Sequence, residues 1–346
     1  MTKPAGKGAE RAALRDGFGE GIIIAARSDP RIVALSADLT ESNRLVKFRE
    51  EFPDRFVSVG VAEQNLAGVA AGMARAGKVP FAASFAVFSP GRNWDQVRVS
   101  VCYSGHNVKL YGGHAGLTVG EDGATHQALE DIAITRCLPN MTVIVPADAI
   151  EMRKATIAAA QHPGPVYLRG GREKFPQVTT ESTPFSIGKA NTLRPGKDIT
   201  IVACGNLVSE ALIAAEHLAK ERISARVIDL HTIKPIDEQA LIAAAHETGA
   251  IVTAEEHQII SGMGSAVAEA LAQHHPVPIE MVGVRDTFGE SGTAAALMDK
   301  YGLRATDIIA AAKRALERKR HTTTRRETLR VGARHLRAIA RAARKR

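Results

Sequence analysis

Phe56-Val57-Ser58-Val59-Gly60-Val61-Ala62-Glu63-Gln64-Asn65 leads straight into Leu66-Ala67-Gly68-Val69-Ala70-Ala71-Gly72-Met73. An apolar run meets an Ala/Gly-rich helical pattern there, which reads as a strand turning into a helix. Glu63 sits at the turn, with few charges near it in sequence. Two readings of its carboxylate are open: a partner for the positive end of the helix, or a proton handler tuned by its surroundings.

Outward from this join, apolar runs alternate with helix-period segments. Strands are expected at Ile32–Ser36, Phe56–Val59, Pro80–Ser84, Val108–Tyr111, Thr142–Val145 and Val166–Leu168, with helices near 11–27, 62–76, 91–104, 126–137 and 148–161. Strands that are apolar throughout, without alternation, suit a parallel sheet covered on both faces. From Gly170 to Lys197 the pattern lapses into Gly, Pro, Thr and charge, as a domain boundary should. A second alternation follows, with strands at Ile199–Ala203, Ala225–Leu230, Ala250–Ala254 and Pro278–Val282 and helices near 206–220, 237–247 and 263–273, then two short helices ending near Leu316. The expected architecture is α/β: two doubly wound domains with mainly parallel sheets, spanning residues 10–172 and 185–317, followed by a basic tail, 318–346.

At 346 residues the chain has enough interior for two cores. No run of 18 apolar residues is present, and Met1-Thr2-Lys3-Pro4-Ala5-Gly6-Lys7-Gly8 lacks the apolar core of a secretory signal. Cys102, Cys137 and Cys204 are scattered through apolar segments, which argues for packed thiols in a reducing, cytoplasmic setting. The net charge of +8 misleads, because residues 318–346 carry 12 Lys/Arg and one acid, Glu327. The remainder holds 33 Lys/Arg against 36 Asp/Glu, a net of −3, so the body is mildly acidic and the pI does not mark it as a nucleic-acid binder.

Two glycine clusters invite nucleotide readings. Gly17-Phe18-Gly19-Glu20-Gly21 has no strand before it and reads as a loose helix start. Gly262-Met263-Gly264 follows a strand and opens a helix, so it suits either a bound anion or a plain backbone turn. No Gly-x-x-x-x-Gly-Lys-Ser/Thr occurs, which argues against a P-loop nucleotidase.

Three motifs carry a family resemblance: Ser36-Ala37-Asp38-Leu39-Thr40-Glu41-Ser42-Asn43, Gly60-Val61-Ala62-Glu63-Gln64-Asn65, and Gly120-Glu121-Asp122-Gly123-Ala124-Thr125-His126-Gln127. In order and spacing they resemble the pyrimidine-binding domain of transketolase, and the second domain is similar to the transketolase C-terminal domain. The resemblance covers roughly residues 10–316. It implies a thiamine diphosphate-dependent transfer of a two-carbon ketol unit between sugar phosphates. Glu63 would then be catalytic, hydrogen-bonding the cofactor's aminopyrimidine and so helping to generate its carbon nucleophile, while the cofactor does the hard chemistry. Phe85 and Phe88 match the aromatic residues that clasp that ring. Asp38 would either bond the cofactor or support the subunit interface. His114, Asp122 and His126 match residues that touch substrate hydroxyls, and the two imidazoles can relay protons there. Arg169 resembles the family's phosphate-binding Arg, with Ser42 and Arg15 as further phosphate contacts and Arg172 as either a neighbour or a surface charge. At the next expected aromatic position the chain has Gly91 followed by Arg92, and an Arg near that position occurs in deoxyxylulose-phosphate synthases, which makes Arg92 a substrate-binding candidate.

The family's diphosphate site is a Gly-Asp-Gly motif with a later Asn, which this sequence does not contain. The expectation is therefore the C-terminal subunit of a split transketolase. Its partner, an N-terminal transketolase subunit, would hold the diphosphate through Mg or another divalent metal, in an α2β2 heterotetramer. The β subunit of a 2-oxo-acid dehydrogenase has the same two domains, but Ser-Ala-Asp-Leu-Thr and Gly-Glu-Asp-Gly-x-Thr-His-Gln are not expected there. A deoxyxylulose-phosphate synthase-like condensing enzyme and a non-catalytic scaffold or regulatory subunit are further alternatives, the last opposed by the intact Glu63, His114 and His126. The tail has two readings: a disordered solubilising extension, or a basic amphipathic helix, with Leu329, Leu336 and Ile339 on one face, docking on an acidic surface.

Overall fold

A computed structural model describes residues 10–321. Seven strands form the first sheet, in the order Thr232–Lys234, Thr142–Ile144, Val166–Arg169, Lys109–Gly113, Val79–Phe85, Ile32–Ser36, Phe56–Ser58. All neighbours are parallel except the outermost pair, where Thr232–Lys234 runs antiparallel to Thr142–Ile144. Each inner strand is buried residue by residue, which is why its sequence lacks alternation. The order reverses between Ile32–Ser36 and Val79–Phe85: the chain leaves the first toward Phe56–Ser58 on one side and returns to its other side. Such a reversal opens a crevice at the carboxyl ends of the strands.

The second sheet has the order Ile279–Val284, Ile251–Gln258, Ile199–Ala203, Ala225–Asp229, Asn191–Arg194. Its strands are parallel apart from the antiparallel edge Asn191–Arg194. Both sheets are thus mainly parallel and helix-covered, as the alternation in the sequence implies.

Several local expectations differ. The segment 91–104 is a short helix, Trp94–Gln96, running into π-helix Val97–Tyr103. Residues 126–137 are helical only over Asp131–Arg136. The lapse at Gly170–Lys197 contains two strands: Lys174–Pro176, paired with Arg11–Ala13, and Asn191–Arg194. Both are only three or four residues long, below what periodicity resolves. Thr232–Lys234 crosses from the second half of the chain to join the first sheet, so the halves are stitched by backbone bonds as well as by side chains. One apolar cluster runs across this junction, with Leu110, Val143 and Tyr167 beside Ile228, Ile233 and Met263.

Both glycine clusters have packing explanations. Gly17, Gly19 and Gly21 lie inside helix Leu14–Ser28, where they admit backbone contact. A Cβ on Gly17 would come 2.1 Å from the Ala149 carbonyl oxygen, and one on Gly21 would come 2.8 Å from that of Arg153. The anion at Gly262-Met263-Gly264 is supplied by the chain itself. The Met263 and Gly264 amides donate to the buried Glu255 carboxylate at 2.6 and 2.8 Å, at the start of helix Met263–His274.

The last described helix spans 305–321 and takes in the first residues of the basic tail. Arg318 donates to the Ile279 carbonyl and to Glu280, and Lys319 to the carbonyls of Asp198 and Thr248. These two cations therefore anchor the second domain, a correction to counting them with the tail. The two readings of the tail concern residues 322–346 and fall outside the described residues.

Candidate active site

Most of the expected residues gather at the carboxyl ends of the parallel strands. Glu63 opens helix Glu63–Arg75 after strand Phe56–Ser58, Phe85 ends its own strand, His114 follows Lys109–Gly113, and Asp38 and Ser42 follow Ile32–Ser36. These positions lie at or just beyond the strand ends, where side chains can face the crevice instead of a neighbouring layer.

Glu63 is 1% exposed. Its Oε2 accepts from Arg92 Nη1 at 2.6 Å, and its backbone carbonyl accepts from the buried Asn93 amide at 2.9 Å. Arg92, whose side chain is 51% exposed, also lies over the Phe88 ring, 4.7 Å from its centroid. The sequence reading assigned Arg92 to substrate. The structure instead pairs it with the candidate catalytic carboxylate and one of the candidate aromatics.

Phe85 and Phe88 lie nearly parallel, 15° apart with centroids separated by 6.1 Å. His114 stacks on Phe85 at 3.9 Å, and His126 stands edge-on to Phe88 at 5.3 Å. Four rings thus share a corner of the crevice, and Arg92 links the Glu63 carboxylate to it. His114 is buried, and its Nδ1 has no hydrogen-bond partner. Burial, reinforced by the charges of Arg15, Arg172, Arg44 and His126, pushes its pKa down to about 3. The ring is neutral at ordinary pH, with an unfilled polar atom to offer. His126 Nδ1 lies 2.9 Å from the Thr125 hydroxyl.

A cationic basin surrounds His114. Arg15 Nη1 donates to the Ser42 carbonyl at 3.4 Å, while its buried Nε has no partner. Burial, then the charge of Arg44, lowers the Arg15 pKa from its ordinary value. Arg172 Nη1 donates to the Val119 carbonyl at 2.8 Å and lies 3.5 Å from Asp122. Asp38 and Asp122 are exposed at the rim. Arg44, which pairs with Asp16 at 2.7 Å, was not anticipated, and neither was Asn43, fully buried with both amide atoms unpartnered. Asn43 belongs to the motif that carried the resemblance. Arg44 left no sequence signal, since folding alone brings it beside His114.

Arg169 is the clear correction. It is buried, its Nε and Nη2 fork onto Asp131 at 2.8 and 3.2 Å, and Nη2 also donates to the carbonyls of Ala128 and Glu256. Asp131 further accepts from the Tyr167 hydroxyl at 2.7 Å. Burial alone would raise the Asp131 carboxyl, but Arg169 and His257 beside it hold it below its usual value. With its guanidinium committed to this internal network, Arg169 is a strut beneath the site and not a free phosphate ligand. Arg15 and Arg172 are the cations that face the crevice around His114. Among the described residues, no group of three or more His, Cys, Asp or Glu could hold a metal ion, and no helix is long and apolar enough to cross a membrane.

Comparison with known proteins agrees with this fold. The transketolase pyrimidine-binding domain matches residues 10–177, and the transketolase C-terminal domain matches residues 188–308. The chain is 46% identical over 319 residues to the 6-deoxy-6-sulfo-D-fructose transketolase subunit SqwH of Clostridium sp. (strain MSTE9), covering 92% of this chain and 99% of that one. It is 40% identical over 292 residues to an apulose-4-phosphate transketolase subunit of Phocaeicola vulgatus, covering 84% and 93%. A solved structure described as a split gene transketolase, inactive beta4 tetramer, superposes with a TM-score of 0.84 at 48% identity, covering 89% of this chain and 99% of that one. The chain belongs to the transketolase family.

Proposed function

We propose that this transketolase-family chain is the C-terminal subunit of a split transketolase. It would transfer a two-carbon ketol unit between sugars that carry a terminal anion, with thiamine diphosphate shared with an N-terminal partner subunit. The observation that carries the reading is the buried Glu63 carboxylate paired with Arg92, which lies over Phe88 of the Phe85/Phe88 pair, with a neutral His114 stacked on Phe85. That donor set fits an aminopyrimidine: a flat ring suits the aromatic corner, and a ring nitrogen suits a buried carboxyl.

When bound, the cofactor supplies a carbon nucleophile toward the ketose carbonyl. Glu63 would hold a proton toward the pyrimidine ring nitrogen, and Arg92 would swing clear or share the carboxylate's other oxygen. Phe85 and Phe88 would orient the ring and exclude water. His114 offers its unpartnered Nδ1 to a sugar hydroxyl, and His126, edge-on to both Phe85 and Phe88, can hold or pass a second proton. Asp122 reaches a hydroxyl from the rim. Arg15 and Arg172, with Arg44 behind them, suit a phosphate or sulfonate at the far end of the sugar, and Ser42 lies beside Arg15. Two relatives are named for such sugars, a sulfofructose and a phosphorylated apulose.

The diphosphate and its divalent metal are assigned to the partner, in an α2β2 assembly. The relatives' names as subunits, and the description of a related beta4 tetramer as inactive, support a requirement for a second chain. Co-expression with an N-terminal transketolase subunit, followed by a screen of phosphorylated and sulfonated ketose donors with aldose acceptors, tests the reading. Acyl transfer to a lipoyl domain in place of ketol transfer would favour the 2-oxo-acid dehydrogenase alternative.

A further inference from the structure

The loop 114–127 carries His114, Asp122 and His126, and inside it a single 3-10 turn, Leu117–Val119, and a few turn hydrogen bonds shape it. His114, Gly116, Gly120 and Gly123 all have left-handed backbone, with φ of 55°, 87°, 86° and 77°. A non-glycine residue such as His114 keeps that conformation only where its surroundings hold it. Phe85 and Arg172 hold the loop from the first domain, and the second domain holds it too. Leu117 is buried in that domain's apolar cluster, beside Leu207 and Leu297. Gln127 Nε2 donates inward to the carbonyls of Leu117 and Gly120 and outward to that of Glu290, at 2.9 Å. A Cβ on Gly123 would come 2.5 Å from Ser291 Oγ.

The tightest attachment is at Glu256, a buried residue of strand Ile251–Gln258. Its Oε1 accepts from the Thr118 amide at 2.6 Å, and its Oε2 accepts from the Thr118 hydroxyl at 3.2 Å and from Asn206 Nδ2 at 2.7 Å. Its backbone carbonyl accepts from Arg169, the strut paired with Asp131. The carboxylate fills the space where a side chain on Gly116 would be, since a Cβ there would lie 2.4 Å from Glu256 Cδ. An acceptor with three donors and a fixed backbone is a rigid peg, and Thr118 hangs from it.

We propose that Glu256 is a positioning residue through which the second domain holds the loop 114–127 in the shape that presents His114 and His126 to substrate. The loop-holding role stands on this geometry alone, while its catalytic consequence rests on the proposed ketol transfer.

Glu256→Gln tests it with little change of volume. The new amide either sets a donor against Thr118 N–H or turns it toward Asn206, whose own amide must flip to accept, and adding Asn206→Asp supplies that acceptor directly and favours the second arrangement. In the full-length chain, hydrogen exchange of amides 116–123 is expected to accelerate at least about tenfold in E256Q and to return to within about threefold of wild type in E256Q/N206D, with the central strands unchanged. Thr118→Val, which keeps the backbone bond, is expected to give a smaller acceleration and serves if E256Q does not accumulate folded. In the complex with the partner subunit, kcat is expected to fall about tenfold in E256Q and to recover in the double variant, with cofactor affinity within about twofold. Wild-type loop exchange in a folded E256Q, or loosening spread evenly over the chain, would overturn the proposal. Absence of ketol transfer in the wild-type complex would overturn the proposed function instead and leave the exchange result to decide the role of Glu256.

Discussion

Glu63→Gln separates the chemistry of the site from its architecture. Gln has nearly the shape of Glu, so the amide can still accept from Arg92 through its oxygen, and the backbone bond from Asn93 is untouched. What disappears is the charge opposite a guanidinium whose side chain is 51% exposed and can turn to water. A hydrogen bond to a charged group contributes on the order of 1.5–3 kcal/mol, and solvent access to Arg92 puts the stability loss at the low end, about 1–2 kcal/mol. The effect on turnover should be far larger, because an amide cannot hold or return a proton. Acid–base groups contribute roughly 10²–10⁴-fold, or about 3–5 kcal/mol of barrier. The assay is kcat for ketol transfer by the complex assembled with the N-terminal subunit, alongside urea unfolding of the isolated chain. A complex that assembles and keeps wild-type kcat with Gln at position 63 would refute the role given to this carboxylate.

Arg169→Ala strands Asp131 in the core and is expected to cost about 3–5 kcal/mol of stability. Loss of less than 1 kcal/mol with only a raised KM for anionic sugars would return Arg169 to the phosphate-binding role read from the sequence. His114 is lowered to about 3 from an ordinary 6.5, so the unfolded chain takes up a proton across that window that the folded chain refuses. Stability is thus full above about pH 6.5 and falls toward pH 3, by up to about 1.4 kcal/mol per pH unit for this one group. His114→Asn, which suits the left-handed backbone, should make the acid limb of a stability–pH curve shallower without flattening it, because His231 and His257 are also depressed, each to about 4. Truncation after His321 should leave kcat within about twofold, while truncation after Glu317 removes the Arg318 and Lys319 anchors and should lower stability by about 1–2 kcal/mol. Equal melting of the two truncated chains would remove that distinction.

What the sequence made legible, and what it hid, follows from the range of the interactions involved. Strand–helix alternation is a local pattern, and it located both sheets because their inner strands are buried on both faces. Glu63, Phe85, Phe88, His114 and His126 were legible through short motifs, and folding brings the four rings together with Arg92 linking Glu63 to Phe88. The pairing of Arg169 with Asp131 was not legible, because it joins a strand end to a helix 38 residues away in sequence. Arg92 sits 29 residues from Glu63, and its charge could be matched to the carboxylate only once helix Glu63–Arg75 was set beside the turn at 86–93. The short strands Lys174–Pro176 and Asn191–Arg194 escaped because three or four residues carry no period. Glu256, 138 residues from Thr118, lay beyond any motif.

The most direct test of the central claim is calorimetric titration of thiamine diphosphate, with Mg²⁺, into the isolated chain and into its complex with the N-terminal subunit. Half a cofactor site, built from Glu63 and the Phe85/Phe88 pair, predicts no Mg²⁺-dependent binding at micromolar cofactor by the chain alone and clear Mg²⁺-dependent binding by the complex. Micromolar, Mg²⁺-dependent binding by the isolated chain would contradict the division of the site between two subunits.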